Sequence, residues 1–380
     1  MNILVIGAGG VGTSMAAIAE SRNFFRSFTL ADVSLEAAQR AIEKLADAQR
    51  FTAVQLDARS ESNIVALIKE CDADFVVNAC DPRLNESIFN ACFTAGVHYM
   101  DMAMNLSTPH ATDPYNQVGE ILGHKQFSAH EAWIDKGLLA LVGMGVEPGL
   151  SDVFARYAAD NLFDTIDEIG VRDGANLAIE GYDFAPTFSI WTTVEECLNP
   201  PLIWEKSRGV FTTDCFSESE IFHFPEGIGP IECVNVEHEE VLLIPQEIEC
   251  NRVTFKYGLG NEFINWLKTF AYLGLDSATK IKVGDVHVAP RDVLAALLPN
   301  PAELGHLMKG KTCAGTWIKG THNGSPREVY LYHVVDNEET MTKWGCQAVL
   351  WQTAICPIVA LELLATGIWT HCGVRGPEAF

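Results

Sequence analysis

Positive charge is scarce in this 380-residue sequence, in which 26 lysines and arginines stand against 50 aspartates and glutamates. The formal net charge of −24 at pH 7 repels a phosphate backbone, so nucleic acid is excluded as an expected partner. The 11 cysteines include no Cys-x-x-Cys pair, and the 11 histidines include no His-x-x-x-His pair. We therefore predict free thiols in a reducing cytoplasm, with no disulfide framework and no metal site.

Long apolar runs are also missing. The sequence has no uninterrupted stretch of about 18 apolar residues, the length that spans a membrane. Segment 348–369 comes nearest, but Gln352, Pro357 and Glu362 interrupt it, and it is typical of a buried helix. No basic region followed by an apolar stretch opens the chain, so no signal peptide is predicted. We expect a cytoplasmic protein with no membrane association.

Glycine, by contrast, is concentrated near the start. Four glycines fall within residues 7–12, "GAGGVG", directly after the apolar run 2–6, and a small, apolar, helix-like stretch follows them. A Gly-x-Gly-x-x-Gly motif between a strand and a helix is typical of dinucleotide-binding folds. Gly7 permits the tight turn, Gly9 lets the backbone approach a pyrophosphate, and Gly12 permits close packing of helix on strand. The helix N-terminus attracts the phosphates.

An acidic residue supports this interpretation. Asp32 ends the next apolar stretch, 20 residues after Gly12. An acidic side chain at the end of the second strand accepts hydrogen bonds from the adenosine ribose, and it repels a 2′-phosphate. The sequence therefore favours NAD over NADP as the cofactor. A second role for Asp32, compatible with the first, is to cap the helix that begins near Ser34.

Predicted strands and helices alternate over about 145 residues, which is typical of a parallel sheet with helices on both faces. Ligands of such sheets bind beyond the carboxyl ends of the strands. The polar residues that follow the predicted strands are Asp32, Asp57, Asn78, Asp101 and Glu147. We therefore predict an α/β protein with an N-terminal Rossmann domain, residues 1–149, in which these side chains meet one ligand.

The pattern changes after residue 149 to longer, β-rich runs. It predicts an α+β domain over 150–344, built on a largely antiparallel sheet and used for substrate binding and dimerisation. The predicted strands are 165–173, 232–244, 252–259 and 327–336, and the predicted helices are 152–162, 261–272 and 290–298. The stretch 345–366 is too apolar to be exposed, so we expect residues 345–380 to pack against the first domain.

Five motifs along the whole chain point to one family. They are "GAGGVG" at 7–12, "GMGVEPGLSD" at 143–152, "FSIW" at 188–191, "VAPRDVL" at 288–294 and "CGVRGPE" at 372–378. In this order and spacing the chain resembles the saccharopine dehydrogenase-like family, which includes saccharopine reductase, lysine 6-dehydrogenase and carboxynorspermidine dehydrogenase. Two departures concern the substrate pocket: the Gly-Gly-x-Pro run before the family's Phe-Ser-Trp element is missing, and that element contains one inserted residue.

The resemblance implies a set of cofactor contacts. They fall on Gly7, Gly9, Gly10, Val11, Gly12, Asp32, Val33, Asp57, Ala58, Asn78, Ala79, Cys80, Asp101 and Glu147. Oxidation of an amine requires that the amine first lose a proton, so a general base assists the reaction. Asp101 and Glu147 are the candidates for this catalytic role. For each of them, a helix cap or a turn carboxylate is the alternative, and for Glu147 a turn residue that contacts the cofactor is favoured over a base.

The resemblance implies substrate contacts in the second domain at Phe188, Ser189 and Trp191. The predicted set also includes Tyr182, to orient an amino group, and Arg291. An arginine binds an α-carboxylate in bidentate fashion, and the candidates for this role are Arg172, Arg208, Arg252 and Arg291. Structural roles remain open: Arg291 at a helix start, and Tyr182 in a core.

The resemblance implies an NAD(P)-dependent oxidoreductase that transfers hydride to or from the C–N carbon of an amino acid or a polyamine-related molecule. Asp32 and the "PRDVL" segment make lysine 6-dehydrogenase the first choice. The alternatives are a saccharopine- or carboxynorspermidine-type imine reductase and a non-catalytic dinucleotide-binding redox sensor. Members of the family are usually oligomers, so we expect a homodimer.

Overall fold

The computed structural model describes residues 1–47 and 49–380, which form two compact units. The first unit comprises Met1–Thr108, Glu120–Arg156 and Leu350–Phe380. The second unit comprises Pro109–Gly119 and Tyr157–Val349. Each unit is built around its own sheet, and strands and helices are numbered in chain order.

A seven-stranded parallel sheet forms the first unit. Its strands are β1 (Asn2–Ile6), β2 (Ser27–Asp32), β3 (Phe51–Gln55), β4 (Phe75–Asn78), β5 (His98–Asp101), β6 (Leu139–Leu141) and β19 (Gly373–Arg375). In space their order is β19-β6-β5-β4-β1-β2-β3, and the neighbouring strands are parallel. The direction of winding reverses between β1 and β4, where doubly wound sheets bind ligands. The predicted Rossmann sheet is confirmed.

Helices that lie wholly or mostly in the first unit accompany these strands. They are α1 (Gly10–Ala19), α2 (Leu35–Ile42), α3 (Glu61–Glu70), α4 (Asn85–Ala95), α5 (His124–Ser128), α6 (His130–Asp135), α7 (Leu150–Asn161) and α13 (Ala348–Ala365). Two of them begin at the serine caps that their sequences predict: Ser34 accepts a hydrogen bond from the N–H of Ala37, and Ser60 accepts one from the N–H of Asn63. β1 is buried along its whole length, because helices cover both faces of a parallel sheet.

The C-terminal segment, residues 350–380, belongs to the first unit. Its strand β19 extends the parallel sheet, with Val374 opposite Ala140 of β6. In α13, Glu362 accepts a hydrogen bond from Arg22 at 2.8 Å. The sequence pattern does not predict β19, because three residues are too few to show a period.

One helix in the described part of the chain, α13, meets the length and composition criteria for a membrane span, with a mean hydropathy of 1.8. Its residues are 56% buried within the protein. A buried core helix meets the same criteria, so α13 is weak evidence for a membrane span.

An eight-stranded sheet forms the second unit. Its strands are β7 (Thr165–Ala175), β9 (Leu202–Glu205), β10 (Gly209–Thr212), β11 (Glu220–Phe224), β12 (Gly229–Asn235), β13 (Arg252–Gly258), β17 (Lys311–His322) and β18 (Ser325–Asp336). The main path is β10-β9-β13-β7-β17-β18, and β12 joins β13 while β11 joins β12. The pair of β13 with β7 is parallel and the other pairs are antiparallel, so the predicted mixed domain is confirmed.

Two small ribbons and five helices complete this unit. The ribbons pair β8 (Ala178–Ile179) with β16 (Met308–Lys309), and β14 (Ile281–Val283) with β15 (Val286–Val288). The helices are α8 (Ile190–Leu198), α9 (Glu240–Glu247), α10 (Gly260–Leu273), α11 (Pro290–Leu297) and α12 (Asn337–Trp344).

The predicted strand 232–244 is wrong in its second half. The strand ends at Asn235, and α9 begins at Glu240. Its apolar residues Val241, Leu242 and Leu243 are all buried. An apolar run that is buried on every side has no visible period, so its sequence cannot distinguish a strand from a helix.

β17 is a long strand that the sequence pattern hides, because it contains glycines. A Cβ on Gly315 would lie 2.5 Å from the carbonyl oxygen of Leu331, and a Cβ on Gly320 would lie 2.0 Å from that of Thr165. These glycines permit a close approach of neighbouring strands. Read from sequence alone, they resemble turn residues.

Candidate active site

The glycine-rich turn joins β1 to α1 at the carboxyl edge of the parallel sheet. Gly7 has a φ of +113°, which residues with a side chain rarely adopt. A Cβ on Gly12 would lie 1.9 Å from the carbonyl oxygen of Gly7, so α1 packs directly on the turn. Around Gly9 there is open space to 4 Å, and no side chain caps α1. The first N–H groups of α1 can therefore bind an anionic ligand such as a pyrophosphate.

Gly10 and Val11 form the first turn of α1. A Cβ on Gly10 would lie 2.4 Å from Cδ1 of Leu350, a residue of α13. Gly10 therefore makes room for the C-terminal helix, whereas Gly9 leaves room for a ligand. Val11 is half-buried beside them.

Asp32 is held at the end of β2 by two backbone donors. Its Oδ2 accepts a hydrogen bond from the N–H of Ala8 at 2.8 Å, and its Oδ1 accepts one from the N–H of Ser34 at 2.9 Å. The side chain that caps α2 is Ser34, so the capping role considered for Asp32 is wrong. The carboxylate lies beside the glycine-rich turn, as recognition of an adenosine ribose requires. Val33, which follows it, is 60% exposed.

Asp57 and Ala58 follow β3, the strand next to β2. Asp57 forms a two-pronged ion pair with Arg59, 2.9 Å from Nε to Oδ1 and 2.8 Å from Nη2 to Oδ2. Hydrogen bonds from Arg59 lower the pKa of Asp57 to about 2, so Asp57 is ionised at neutral pH. Ala58 is buried, and its carbonyl oxygen accepts a hydrogen bond from the hydroxyl of Ser87 at 2.5 Å.

The residues after β4 form the wall behind the glycine-rich turn. A Cβ on Gly7 would lie 2.6 Å from the carbonyl oxygen of Ala79. Asn78 is buried, and its Oδ1 accepts a hydrogen bond from the N–H of Cys80 at 3.0 Å. Burial raises the pKa of Cys80 to about 12, so its thiol stays protonated. These three residues thus shape the turn.

Asp101 ends β5 and is 1% exposed. Its Oδ2 accepts hydrogen bonds from the Tyr99 hydroxyl at 2.9 Å and from Gln126 Nε2 at 2.6 Å. Its Oδ1 accepts a third from the N–H of Gly143 at 2.7 Å. Both oxygens therefore hold the loops around β5 and β6 in place. This geometry favours a positioning role for Asp101 over that of a general base.

Glu147 lies in the Gly-x-x-Pro-Gly turn after β6 and is half-buried. The peptide bond from Glu147 to Pro148 is cis, and the N–H of Gly145 donates to the carbonyl oxygen of Pro148 at 2.7 Å. Gly149 has a φ of +135°, and its N–H donates to Oδ2 of Asp152 at 2.8 Å. The two hydrogen bonds constrain this turn, and Glu147 carries a carboxyl group beyond β6.

The "FSIW" element forms the start of α8 in the second unit. The hydroxyl of Ser189 caps this helix by accepting a hydrogen bond from the N–H of Thr192, and Phe188 before it is half-buried. Trp191 donates from Nε1 to Oδ1 of Asp292 at 3.3 Å. Tyr182 is exposed, which excludes the core position considered for it.

The four candidate arginines of the second unit already have partners. Arg291 pairs with Glu195 and lies 4.4 Å from the ring centre of Trp191. Arg172 is buried and pairs with Glu220 at 2.5 Å. Arg252 pairs with Glu168, Glu205 and Glu218. Arg208 lies 3.6 Å from the ring centre of Phe211. These contacts assign each arginine a structural partner, and Arg291 fastens α11 to α8.

A buried group that the sequence interpretation missed lies between α8, α9 and β13. We call it the His238 cluster: Glu196, His238, Glu239 and Glu240. Nδ1 of His238 is 2.5 Å from Oε2 of Glu240 and 3.4 Å from Oε2 of Glu239, and one ligand atom from each of the three lies within 4.8 Å of the others. The sequence signal was "EHEEV", four consecutive titratable residues beside an apolar run.

Aromatic rings enclose the His238 cluster on one side. The imidazole stacks on Phe255 at 3.7 Å between ring centres, and Tyr257 lies edge-on to both rings. Burial lowers the pKa of His238, but Glu240 and Glu239 outweigh this effect and raise it to about 10. Burial raises the pKa of Glu196 to about 8. The cluster therefore contains a charged imidazole and a carboxyl group that titrates close to neutral pH.

Comparison with known families shows where this chain belongs. The family model "Saccharopine dehydrogenase NADP binding domain" matches residues 3–141, and "Saccharopine dehydrogenase C-terminal domain" matches residues 145–380. The chain is a member of the saccharopine dehydrogenase family, as its motifs predicted. It is an NAD(P)-dependent oxidoreductase, and the open space at Gly9, the uncapped α1 and the carboxylate of Asp32 fit a dinucleotide.

Individual relatives cover nearly the whole chain. Carboxynorspermidine synthase from Vibrio cholerae is 30% identical over 387 residues, which cover 100% of this chain and 92% of the relative. Carboxyaminopropylagmatine dehydrogenase from Synechocystis is 27% identical over 382 residues, which cover 99% of this chain and 92% of the relative. Apo saccharopine dehydrogenase (L-Glu forming) from Saccharomyces cerevisiae shares the fold at a TM-score of 0.69, with 12% identity, 99% coverage of this chain and 94% of that one.

Proposed function

We propose that this protein is a carboxynorspermidine-type reductase. In this reaction an amino-acid semialdehyde and an amine condense to an imine with loss of water, and addition of a proton to the nitrogen and of a hydride from a reduced nicotinamide to the carbon gives a secondary amine. The observation that carries the proposal is the similarity, over 92% of their length, to relatives named for carboxylated polyamine products. The relatives thus favour the imine reductase over lysine 6-dehydrogenase, the first choice from sequence. They are named as a synthase and a dehydrogenase, which gives no support to a non-catalytic sensor.

We assign NAD as the cofactor within this proposal. The matching family model is named for NADP, so the assignment depends on local charge. The N–H groups of Ala8 and Ser34 fix the carboxylate of Asp32 at the end of β2, the position from which dinucleotide-binding folds contact the adenosine ribose. A 2′-phosphate there would meet an anion that cannot turn away without breaking two hydrogen bonds.

The cofactor supplies the hydride, and the residues of the chain position the reactants and manage protons. The first turn of α1 holds the pyrophosphate, and Asp101 positions the loops beyond β5 and β6. Glu147 contacts the cofactor from the turn after β6. In this proposal Phe188, Ser189 and Trp191 shape the substrate pocket, with Arg291 as a positioning residue behind Trp191.

The His238 cluster supports an amine as the substrate. An ammonium group has three N–H donors, and the cluster offers carboxylate oxygens and aromatic rings, both of which bind such cations. The two carboxylates of Glu239 and Glu240 outweigh the single positive charge of His238. Formation of the imine requires the amine in its neutral form, so a group must accept its proton. Glu196, with a pKa of about 8, can take up and release a proton near neutral pH.

Steady-state assays of the purified protein test this function. NADH or NADPH oxidation is followed with an amino-acid semialdehyde mixed with diaminopropane, putrescine or agmatine, and the reverse direction is followed with lysine and with saccharopine. We expect NADH oxidation that requires both the aldehyde and one of the amines. NAD-linked turnover of lysine alone would contradict the proposal and restore lysine 6-dehydrogenase.

A variant of the cluster tests the amine site. At pH 9, where the carboxyl group of Glu196 is ionised, we expect Glu196→Gln to raise the KM for the amine about tenfold, the loss typical of a charge-assisted hydrogen bond, with NADH affinity unchanged. The matched control is Glu249→Gln, which removes the same charge from an exposed residue paired with Lys206. Equal effects of the two variants on the KM would show that the cluster does not bind the amine.

The homodimer and the cytoplasmic location remain predictions. Light scattering tests the homodimer.

A further inference from the structure

Asp57 and Arg59 follow β3, the strand that pairs with β2, and β2 ends at Asp32. Asp32 of β2 lies opposite Gln55 of β3, and the N–H of Leu56 donates to the carbonyl oxygen of Asp32 at 2.8 Å. Nε2 of Gln55 donates to the carbonyl oxygen of Val33 at 3.0 Å. Neighbouring strands lie about 4.8 Å apart, a distance that the side chain of an arginine can cross. The guanidinium of Arg59 can therefore reach a ligand that binds at the end of β2.

The guanidinium of Arg59 is paired with Asp57. Both prongs of the guanidinium donate to Asp57, and the backbone N–H of Arg59 donates to Oδ1 of the same carboxylate at 3.0 Å. The side chain of Arg59 is 75% exposed, so solvent rather than packing surrounds it. An exposed ion pair of this kind contributes little to the stability of the fold, so replacement of Asp57 frees the guanidinium and leaves the local structure intact.

We infer that Asp57 is a selectivity residue: it occupies Arg59, which would otherwise bind the 2′-phosphate of NADP, and so the pair favours NAD. With Asp32, Asp57 and Arg59 together, this edge carries one net negative charge. Removal of the Asp57 charge leaves one carboxylate, Asp32, and an unoccupied guanidinium that fits a phosphate in bidentate fashion. The inference rests on the proposed function only in that the cofactor is a dinucleotide.

The chain contains a matched control for this inference. Asp81 and Arg83 follow β4 and form the same fork, 2.7 Å from Nε to Oδ1 and 2.8 Å from Nη2 to Oδ2. β4 is separated from β2 by β1 in the sheet order. Asp81→Asn therefore removes the same charge from the same local geometry at a strand that is not adjacent to the adenosine ribose.

The experiment measures the dissociation constants of NADH and NADPH by calorimetry on the purified full-length protein. The variants are Asp57→Asn, Arg59→Ala, the double variant Asp57→Asn/Arg59→Ala, and Asp81→Asn. We expect Asp57→Asn to change the ratio of the dissociation constants of NADH and NADPH by about tenfold in favour of NADPH. A change of this size corresponds to one charge-assisted hydrogen bond. The double variant should lose this gain, because the guanidinium is gone, and Asp81→Asn should leave the ratio unchanged.

Two results would overturn the inference: an unchanged ratio in Asp57→Asn, or a gain that persists in the double variant. An equal shift in Asp81→Asn would also overturn it, because it would indicate a general effect of charge. The assay measures binding, so it is independent of turnover. If the wild type binds NADH but reduces no imine, the proposed function fails and this inference is still tested.

Discussion

Gly12 approaches Gly7 so closely that a Cβ on Gly12 would lie 1.9 Å from the carbonyl oxygen of Gly7. The contact joins the first turn of α1 to the end of β1. Backbone atoms form it, so no side-chain movement can relieve a larger residue at position 12. The same motif contains Gly9, which has open space around it. Two glycines three residues apart therefore have different physical functions.

We predict that Gly12→Ala destabilises the protein by about 1–3 kcal/mol, the usual cost of overpacking, and weakens NADH binding at least about tenfold. Gly9→Ala should leave the free energy of unfolding within about 0.5 kcal/mol of the wild type, because its methyl group meets no protein atom. It should still weaken NADH binding, since the methyl group occupies the ligand's space. Urea denaturation and NADH titration measure both quantities. Equal losses of stability in the two variants would show that the contact at Gly12 is not the cause.

The contact of Gly10 with Leu350 predicts a double-mutant cycle. Gly10→Ala should be destabilising in the wild type, because the new Cβ would lie 2.4 Å from Cδ1 of Leu350. In a Leu350→Ala background the same change should stabilise the protein by about 0.5–1 kcal/mol, because alanine favours helix more than glycine does. Thermal denaturation of the four proteins gives the coupling energy. If Gly10→Ala lowers the free energy of unfolding equally in both backgrounds, the contact with Leu350 of α13 is not the cause of the destabilisation.

Asp32→Ser should weaken binding of NADH more than binding of NADPH. The substitution removes the carboxyl acceptor for the ribose hydroxyls and also removes the repulsion of a 2′-phosphate. We expect a change of about tenfold or more in the ratio of the two dissociation constants. Asp32→Asn isolates the effect of the charge, since it keeps the size of the side chain and an acceptor oxygen. It should change the ratio of the dissociation constants in the same direction. Equal losses of affinity for NADH and NADPH would show that Asp32 does not bind the adenosine ribose.

The sequence predicted the first unit well because its signals are local. Strand β1, the glycines and Asp32 follow one another within 32 residues, and their spacing reflects a ligand as well as a fold. The fold and the family were therefore predicted correctly. The role of Gly10 was not, because Leu350, which explains it, lies 340 residues away in the chain.

The second unit was harder to predict because burial removes the period from its sequence. The run from Val241 to Ile244 is buried as a helix but looks like a strand, and the glycines of β17 look like breaks. The His238 cluster was missed for a related reason. Glu196 lies on α8, 42 residues before His238, and only the fold brings the two together.

The His238 cluster also predicts how stability depends on pH. The pKa of His238 is higher in the folded protein than its ordinary value of 6.5, so protonated His238 stabilises the fold fully below pH 6.5, and this contribution is lost as the pH rises toward about 10. The pKa of Glu196 is raised from 4.5 to about 8, so the folded state holds this proton more tightly, and the corresponding contribution is lost between those values. Both contributions decline with increasing pH, and we predict that the Tm falls from pH 7 to pH 10.

Glu196→Gln isolates one of the two groups, because glutamine resembles the protonated carboxyl group in shape and cannot ionise. Below pH 4.5 the variant and the wild type should differ by a constant amount, since Glu196 is protonated in both the folded and the unfolded wild type. Between pH 4.5 and pH 8 the wild type must either keep a proton that the unfolded chain would release or bury a charge. The Tm of the variant should therefore rise relative to that of the wild type across this range and then remain level. Glu249→Gln, on the exposed surface, should show no such rise. A Tm difference for Glu196→Gln that is independent of pH would mean that Glu196 titrates normally and is not enclosed by the cluster.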